Sequence, residues 1–322
     1  MMTQQTAVSI VIPVYNSAAT IGPLVRQLIE ELAARYSLEI VLVNDGSQDR
    51  SEDVCAELAE AQPAIVRVFS LAKNVGEHNA VMAGLNQATG AYVVIMDDDF
   101  QNPVSEVVTL VDTARRGDCD VVYTYYARKR HSLFRNAGSW FNDKVANVML
   151  RKPRGLYLSS FKLLTGFLVK EIIKYQHPFP YIDGLILRTT DRIATVKVAH
   201  QPRAAGRSGY TLRKLLRLWL NMFTNFSILP LRVAIVLGFA VSLIGAALAA
   251  YTIVERIRSA QLPPGWAMLI IVICLFSGVQ LVAVGMIGEY LGRMFLSFNR
   301  QPQFTIRRAI DHAGARDGTS GV

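Results

Sequence analysis

Cysteine is scarce in this chain of 322 residues, and what there is has no pattern. Cys55, Cys119 and Cys274 are scattered, odd in number and without metal-ligand spacing. That excludes a disulfide framework and a cysteine zinc site and points to a reduced compartment. No Gly-x-Gly-x-x-Gly follows the first apolar run, which disfavours a nicotinamide enzyme. A signal peptide is not read at the N-terminus: Met1 to Thr6 is polar, and "AVSIVIPV" is short and leads into turn residues. The large N-terminal part is therefore expected to stay in the cytosol. No internal repeat or low-complexity tract is present.

What the chain does have is apolar residues, 51% of the total, more than an ordinary soluble enzyme carries. The excess is concentrated at Val233 to Val254 and Gly265 to Gly288, neither of which contains a charge. Roughly 20 residues of helix cross a bilayer core, so two transmembrane helices are expected. Arg203, Arg207, Arg213, Lys214, Arg217 and Arg232 precede the first span, and Arg293, Arg300, Arg307 and Arg308 follow the second. The connecting loop holds only Arg256 and Arg258 beside Glu255. The positive-inside rule then places both termini in the cytosol. A net charge of +9 suits a protein that lies on anionic lipid or handles phosphates, with nucleic acid the less economical explanation.

The stretch "TLRKLLRLWLNMFTNFSIL" alternates basic residues with Leu, Trp and Phe at helical spacing. It reads as an interfacial amphipathic helix, or else as a helix packed on its own domain. The expected organisation is a cytosolic catalytic domain over 1–208, the interfacial segment over 209–230, the two spans within 231–292 and a cytosolic tail over 293–322, polar and loose after Arg300.

Residues before Phe134 alternate apolar runs with helical patterns, the signature of an α/β domain with a mainly parallel sheet. Strands are expected near Ala7–Val14, Leu38–Asn44, Ala64–Leu71, Ala91–Met96 and Asp120–Tyr123. Helices are expected near Ala18–Tyr36, Ser51–Ala61, Glu77–Ala88 and Pro103–Arg116. From Phe134 to Val198 the pattern is mixed. Ligands bind beyond the carboxyl ends of such strands. There the sequence places "PVYN", "NDGS" and "DDDFQNP".

The last cluster puts three adjacent aspartates after a buried run. Such charge is tolerated in open solvent or beside a cation. In an extended segment Asp97, Asp99 and Gln101 offer oxygens from one side, as Mg²⁺ or Mn²⁺ prefers, while Asp98 points elsewhere.

Five stretches, "VSIVIPVYN", "IVLVNDGSQDRS", "LAKNVGEHNAVMAGLNQATG", "VVIMDDDFQNP" and "GMIGEYLGR", occur in this order. Together the chain resembles the family 2 inverting glycosyltransferases of the polyprenyl-phosphate branch. The resemblance implies a GT-A type nucleotide-sugar-binding domain followed by a two-helix transmembrane hairpin in the bacterial inner membrane, multi-pass and homo-oligomeric, a tetramer. By the same resemblance "DDD" is the Asp-x-Asp motif. Asp97 and Asp98 would lie near the nucleotide, with Asp97, Asp99 and Gln101 on Mg²⁺ or Mn²⁺. Pro13, Tyr15, Asn16 and Asp45 would frame the nucleotide. The chain departs from the family at Ser17, where a Glu is common.

For the acceptor phosphate, the resemblance points to Arg135 and Ser139, four residues apart on "FRNAGS". Arg207 and Ser208 belong to a later loop in which Gly209 stands where a Lys is usual. An upstream family Arg is replaced by Tyr126, with Arg128 and Arg130 close by. Asp97, Asp99 and Arg135 carry the catalytic roles in this reading.

No residue stands out as a general base. A sugar hydroxyl acceptor would need one, whereas a phosphate monoester is already ionised and is its own nucleophile. His78 reads as structural or as a diphosphate contact. The expected activity is transfer of a sugar from a nucleotide donor, UDP-linked, to undecaprenyl phosphate. The alternatives are a processive polysaccharide synthase, disfavoured by the missing Gln-x-x-Arg-Trp motif and the few spans, and a catalytically silent membrane adaptor, disfavoured by the intact Asp97, Asp99 and Gln101. Leu156 to Leu164, "LYLSSFKLL", lacks an acidic residue that several relatives place near the donor sugar, so the sugar stays unnamed.

Overall fold

The computed structural model describes residues 5–126, 153, 155–199, 265–298 and 302–311, with some residues between 234 and 258. The chain divides into two compact units, Met1–Gly209 with Gln301–Val322, and Tyr210–Arg300.

The first unit is built on β1 (Ala7–Val14), β2 (Ser37–Asn44), β3 (Val66–Leu71) and β4 (Tyr92–Ile95), with α1 (Ile21–Leu32), α2 (Ser51–Ala61) and α3 (Glu77–Gln87) between them. Next come α4 (Ser105–Arg116), β5 (Val121–Tyr126), β6 (Lys162–Thr165), α5 (Gly166–Ile172), α6 (Ile182–Thr189) and β7 (Ile193–Val198). The last described strand is β8 (Ile306–Ile310). The early elements fall close to where periodicity puts them.

β1 and β2 are nearly continuous apolar runs because helices cover both faces of the sheet. One face, Val8, Ile10, Ile12 and Val14, packs with Leu24, Val25, Leu28 and Leu32 of α1 and with Val107, Leu110 and Val111 of α4. The α1 residues repeat every three or four positions, so they share one helical stripe. On the other face α3 approaches closely at Gly84, where a Cβ would lie 2.4 Å from Val11 Cγ1 and 3.2 Å from Val43 Cγ2. Only a glycine fits there.

The sheet order is β7-β5-β6-β4-β1-β2-β3-β8. β1 pairs in parallel with β2 and β4, β2 with β3, and β5 with β7. β6 runs antiparallel to β4 and β5, and β8 antiparallel to β3. From β1 the chain moves to β2 and β3, then crosses back to place β4 on the other side of β1. That reversal opens a crevice beyond the carboxyl ends of β1 and β4, where open α/β sheets bind ligands.

The tail differs from the loose segment expected. β8 covers the edge that β3 would otherwise expose, and Arg67 Nη2 meets Asp311 Oδ2 at 2.7 Å, with Arg67 Nε donating to Asp311 Oδ1 at 3.0 Å. Its five residues, "IRRAI", are too short and polar to be read as a strand without the β3 edge and Arg67 waiting for them. The mixed pattern after Phe134 has its own reason: β6 is a four-residue antiparallel insertion whose short run resembles neither a parallel strand nor a helix.

In the second unit α7 (Trp266–Phe298) is 33 residues long. Among the described residues no helix is long and apolar enough to cross a membrane. The expected interfacial segment, 209–230, lies outside the described residues.

Candidate active site

Two loops define one side of the crevice. After β1 the chain turns at Asn16, whose φ of 54° is left-handed, a region asparagine tolerates better than most residues. Asn16 Oδ1 accepts from Gln48 N at 2.8 Å, and Asn16 N donates to Ser47 Oγ at 3.1 Å. Ser17 N donates to Ser51 Oγ at 2.8 Å and Ala18 N to Asp49 Oδ2 at 3.1 Å. "PVYNS" and "DGSQDRS" are therefore knitted into one floor. Pro13 lies on β1 opposite Val43, and Tyr15 is exposed at the mouth.

Asp45 is buried and fully committed to backbone. Its two carboxylate oxygens accept from Val75 N at 2.7 Å and Gly76 N at 2.9 Å, and Asn74 Nδ2 donates to Asp45 O at 3.0 Å. Burial pushes its pKa up, and the two amide bonds oppose the shift. At Gly46, φ 63°, a Cβ would stand 2.7 Å from Asn74 N, so this turn requires glycine. The visible task of Asp45 is to fix the Lys73–Gly76 loop in front of α3.

The acid cluster follows β4. Strand geometry ends at Ile95, and the chain bends through Asp98–Phe100, with Phe100 at φ 59°. The alternation expected of an extended segment therefore stops before the aspartates. Asp98 bonds to the Ser17 hydroxyl and the Tyr15 amide and joins the β1 loop. Asp97 Oδ2 accepts a 2.6 Å bond from Ser160 Oγ. Asp99 is buried, with Oδ1 accepting from Gln101 N at 3.1 Å.

The electrostatics show an excess of negative charge. Burial, followed by Glu77, pushes Asp97 up to about 6, against the pull of the Ser160 bond. Asp98 is pushed up to about 6 by burial and then by Asp97 and Asp99, against the Ser17 bond. Glu77, at the start of α3, is raised by burial and by Asp183, Asp98 and Asp99, with Lys162 opposing.

Among the described residues no group of three or more His, Cys, Asp or Glu is arranged to hold a metal ion. Two carboxylates and an amide, Asp97, Asp99 and Gln101, are an open set of hard oxygen donors. They suit an ion such as Mg²⁺ that takes one or two carboxylates and fills its remaining positions with substrate phosphates and water. The raised pKa of Asp97, which a neighbouring cation would offset, fits the same role.

Several residues escaped sequence reasoning. Lys162 of β6 and Asp183 of α6 form a buried ion pair, and Tyr123 Oη donates to Asp183 Oδ1 at 2.8 Å. Lys162 Nζ lies 5.2 Å from the centroid of the Tyr123 ring. His78 stacks edge-on against Tyr181 at 5.2 Å, and burial pushes its pKa down to about 4, so the ring is neutral at pH 7. The only trace of the pair in the sequence is a charge inside each of two apolar runs, "FKLL" and "YIDGLIL". Tyr126, in place of the family Arg, donates to Asn102 Oδ1 at 2.8 Å. Arg128, Arg130, Arg135, Ser139, Arg207 and Ser208 lie outside the described residues.

A parallel-centred sheet with carboxylates at its switch point defines an α/β domain of the GT-A type, the class that handles nucleotide sugars. The sequence carries this further: residues 9–170 match the sequence model of glycosyl transferase family 2, and the chain belongs to that family. It is a glycosyltransferase. Undecaprenyl-phosphate 4-deoxy-4-formamido-L-arabinose transferase of Pseudomonas paraeruginosa is 33% identical, with 94% of this chain and 90% of that protein covered. The protein of the same name from Photorhabdus laumondii is 31% identical, with 94% of each covered. Among solved structures, glucosyl-3-phosphoglycerate synthase from Mycobacterium tuberculosis in complex with uridine-diphosphate aligns with a TM-score of 0.50 and 21% identity over 68% of this chain and 79% of that one, a likeness of fold.

Proposed function

We propose that this glycosyltransferase moves a sugar from a nucleotide donor, UDP-linked, to undecaprenyl phosphate with inversion, yielding a polyprenyl-monophosphate sugar for the cell envelope. The observation that carries the reading is the acid cluster at the β1/β4 switch point, where Asp97, Asp98 and Asp99 sit within one crevice with raised carboxylate pKa values at Asp97 and Asp98. The names of the relatives supply the acceptor class.

In this reading the acceptor phosphate oxygen attacks the anomeric carbon from the face opposite the donor diphosphate. The new C–O bond forms as the bond to the diphosphate oxygen breaks, and the nucleoside diphosphate leaves with the electron pair. An ionised phosphate needs no proton removed, so a general base is dispensable. Mg²⁺ or Mn²⁺ held by Asp97, Asp99 and Gln101 would neutralise charge on the leaving diphosphate. The chain's own contribution is positional: Ser160 orients Asp97, the Ser17 hydroxyl and Tyr15 amide hold Asp98, and Pro13, Tyr15 and Asn16 frame the nucleotide. Asp45 contributes by fixing the next loop. Arg135 with Ser139, and Arg128, Arg207 and Ser208, take the acceptor phosphate.

The membrane hairpin, a cytosolic catalytic domain, placement in the bacterial inner membrane and homo-oligomerisation belong to the same proposal. The uncharged runs and the Lys/Arg asymmetry support the hairpin. So do Leu281, Val282, Met294 and Phe295, exposed apolar side chains of α7 that lipid would cover. The test is a panel of nucleotide sugars offered with undecaprenyl phosphate, the lipid product being read by mass spectrometry. Transfer from at least one donor is expected; failure of all with a folded, metal-supplied enzyme contradicts the proposal.

A further inference from the structure

Glu77 opens α3, which lies on the sheet face opposite the core formed with α1 and α4. Three other elements converge on that face. Phe161 and Leu163 pack into the α1 and α4 core, so Lys162 between them points the other way, and antiparallel pairing sets it opposite Ile95, two residues before Asp97. α6 brings Asp183 to Lys162, and Tyr181, just before α6, meets His78, the neighbour of Glu77, edge-on at 5.2 Å. Among the described residues, Glu77 is the charge that acts most strongly on Asp97. The other acids of this group are engaged: Asp97 by Ser160, Asp98 by Ser17 and Tyr15, Asp99 by the Gln101 amide, and Asp183 by Tyr123 and Lys162. Among the described residues no hydrogen bond reaches the Glu77 carboxylate. Glu77 is exposed to solvent although the surrounding protein raises its pKa, the position of a group on the wall of a concavity. Its oxygens are left to accept from a ligand.

We propose that Glu77 is a specificity-determining residue for the sugar of the donor, accepting hydrogen bonds from its hydroxyl or amino groups and repelling a sugar that carries a carboxylate. The inference rests on the proposed function. With the nucleoside framed by Pro13, Tyr15 and Asn16 on the β1 loop and the diphosphate beside Asp97 and Asp99 after β4, the sugar lies on the far side of the diphosphate. The strand order β1-β4-β6 then carries it toward the wall made by Ser160, Lys162, Asp183 and Glu77. The cation of that wall among the described residues, Lys162, is already paired with Asp183. A uronic acid would find no positive partner there and would meet the free Glu77 carboxylate, whereas a neutral or amino sugar would meet an acceptor. Like-charge juxtaposition of this kind selects against a wrong ligand without adding a contact to the right one.

The test uses the full-length protein in lipid nanodiscs at saturating Mg²⁺, with calorimetric titration of UDP, UDP-xylose and UDP-glucuronic acid. The two sugars differ by a carboxylate in place of a hydrogen, so the ratio of their affinities isolates that charge. Wild type is expected to bind UDP-xylose more tightly than UDP-glucuronic acid. Glu77→Gln, nearly the same in shape, is expected to narrow that ratio about tenfold, the order expected of one like charge a few ångströms away at the screening of a protein surface. UDP affinity stays as in wild type, and Glu77→Asp, which keeps the charge, keeps the ratio. If Glu77→Gln does not fold, Glu77→Ser carries the same test. A wild type without the preference, or a ratio unchanged in the neutral variant, overturns the assignment. So does an equal loss for UDP and both UDP-sugars, which would place Glu77 at the diphosphate or the metal. Wild type that shows the preference but transfers no sugar to undecaprenyl phosphate contradicts the functional reading and leaves the Glu77 assignment standing; wild type that binds no uridine nucleotide contradicts both.

Discussion

Lys162 and Asp183 pair inside the protein, and the Tyr123 hydroxyl donates to the same carboxylate, so one aspartate joins β5, β6 and α6 beside the acid cluster. Breaking a buried pair from one side leaves an unpaired charge, which costs about 3–5 kcal/mol. Asp183→Ala is expected to lower unfolding free energy by about that amount in urea titrations. The double variant Lys162→Met/Asp183→Leu is expected to recover most of the loss, because no charge is then stranded. Additive losses would mean that the pair is not an energetic unit.

His78 sets a pH limit on stability. Its folded pKa of about 4 lies below the ordinary histidine value, with burial as the chief cause. The depressed value means the folded state resists protonation while the unfolded chain accepts it. Stability from the neutral ring is therefore full above about pH 6.5 and falls as pH drops toward 4. Between pH 7 and pH 5 the loss amounts to about 2 kcal/mol, at 1.36 kcal/mol per unit. His78→Phe is expected to flatten that part of the stability–pH curve, and an unchanged slope would assign the acid sensitivity to other groups.

In the proposed function Asp99 would hold the metal. Asp99→Asn is expected to keep the thermal transition of the wild type and to abolish transfer. Chelator is expected to stop the wild type, and Mg²⁺ or Mn²⁺ to restore it. Full turnover in excess chelator would remove the metal from the account.

Topology is checked by thiol labelling of intact cells. A cysteine introduced near Gln261 is expected to react with an impermeant reagent, and one near Gly318 is not. The reverse pattern would place the catalytic domain outside the cytosol.

How much of this was legible in the sequence depended on how local the forces are. β1 and α2 fall at the residues that apolar periodicity indicates, Ala7–Val14 and Ser51–Ala61, because their patterns are set by a sheet covered on both faces. The three loops of the crevice were marked by turn residues at strand ends. What escaped depended on distant partners. β8 becomes a strand through β3 and Arg67, more than 200 residues earlier in the chain. Ser160 matters only because antiparallel β6 carries it to Asp97. The strand ends at Ile95, before "DDD", and Asp98 joins the β1 loop. No periodicity announces such a bend.

The central claim is a new bond between a sugar's anomeric carbon and a lipid monophosphate, and the fate of the two phosphates of the donor tests it most directly. Purified enzyme, a UDP-sugar and undecaprenyl phosphate are incubated with Mg²⁺, and both products are identified by mass spectrometry. The account predicts UDP in solution and a lipid carrying the sugar through one phosphate. Release of UMP with a sugar diphosphate on the lipid would contradict it, because the bond broken would then be in the diphosphate and not at the sugar.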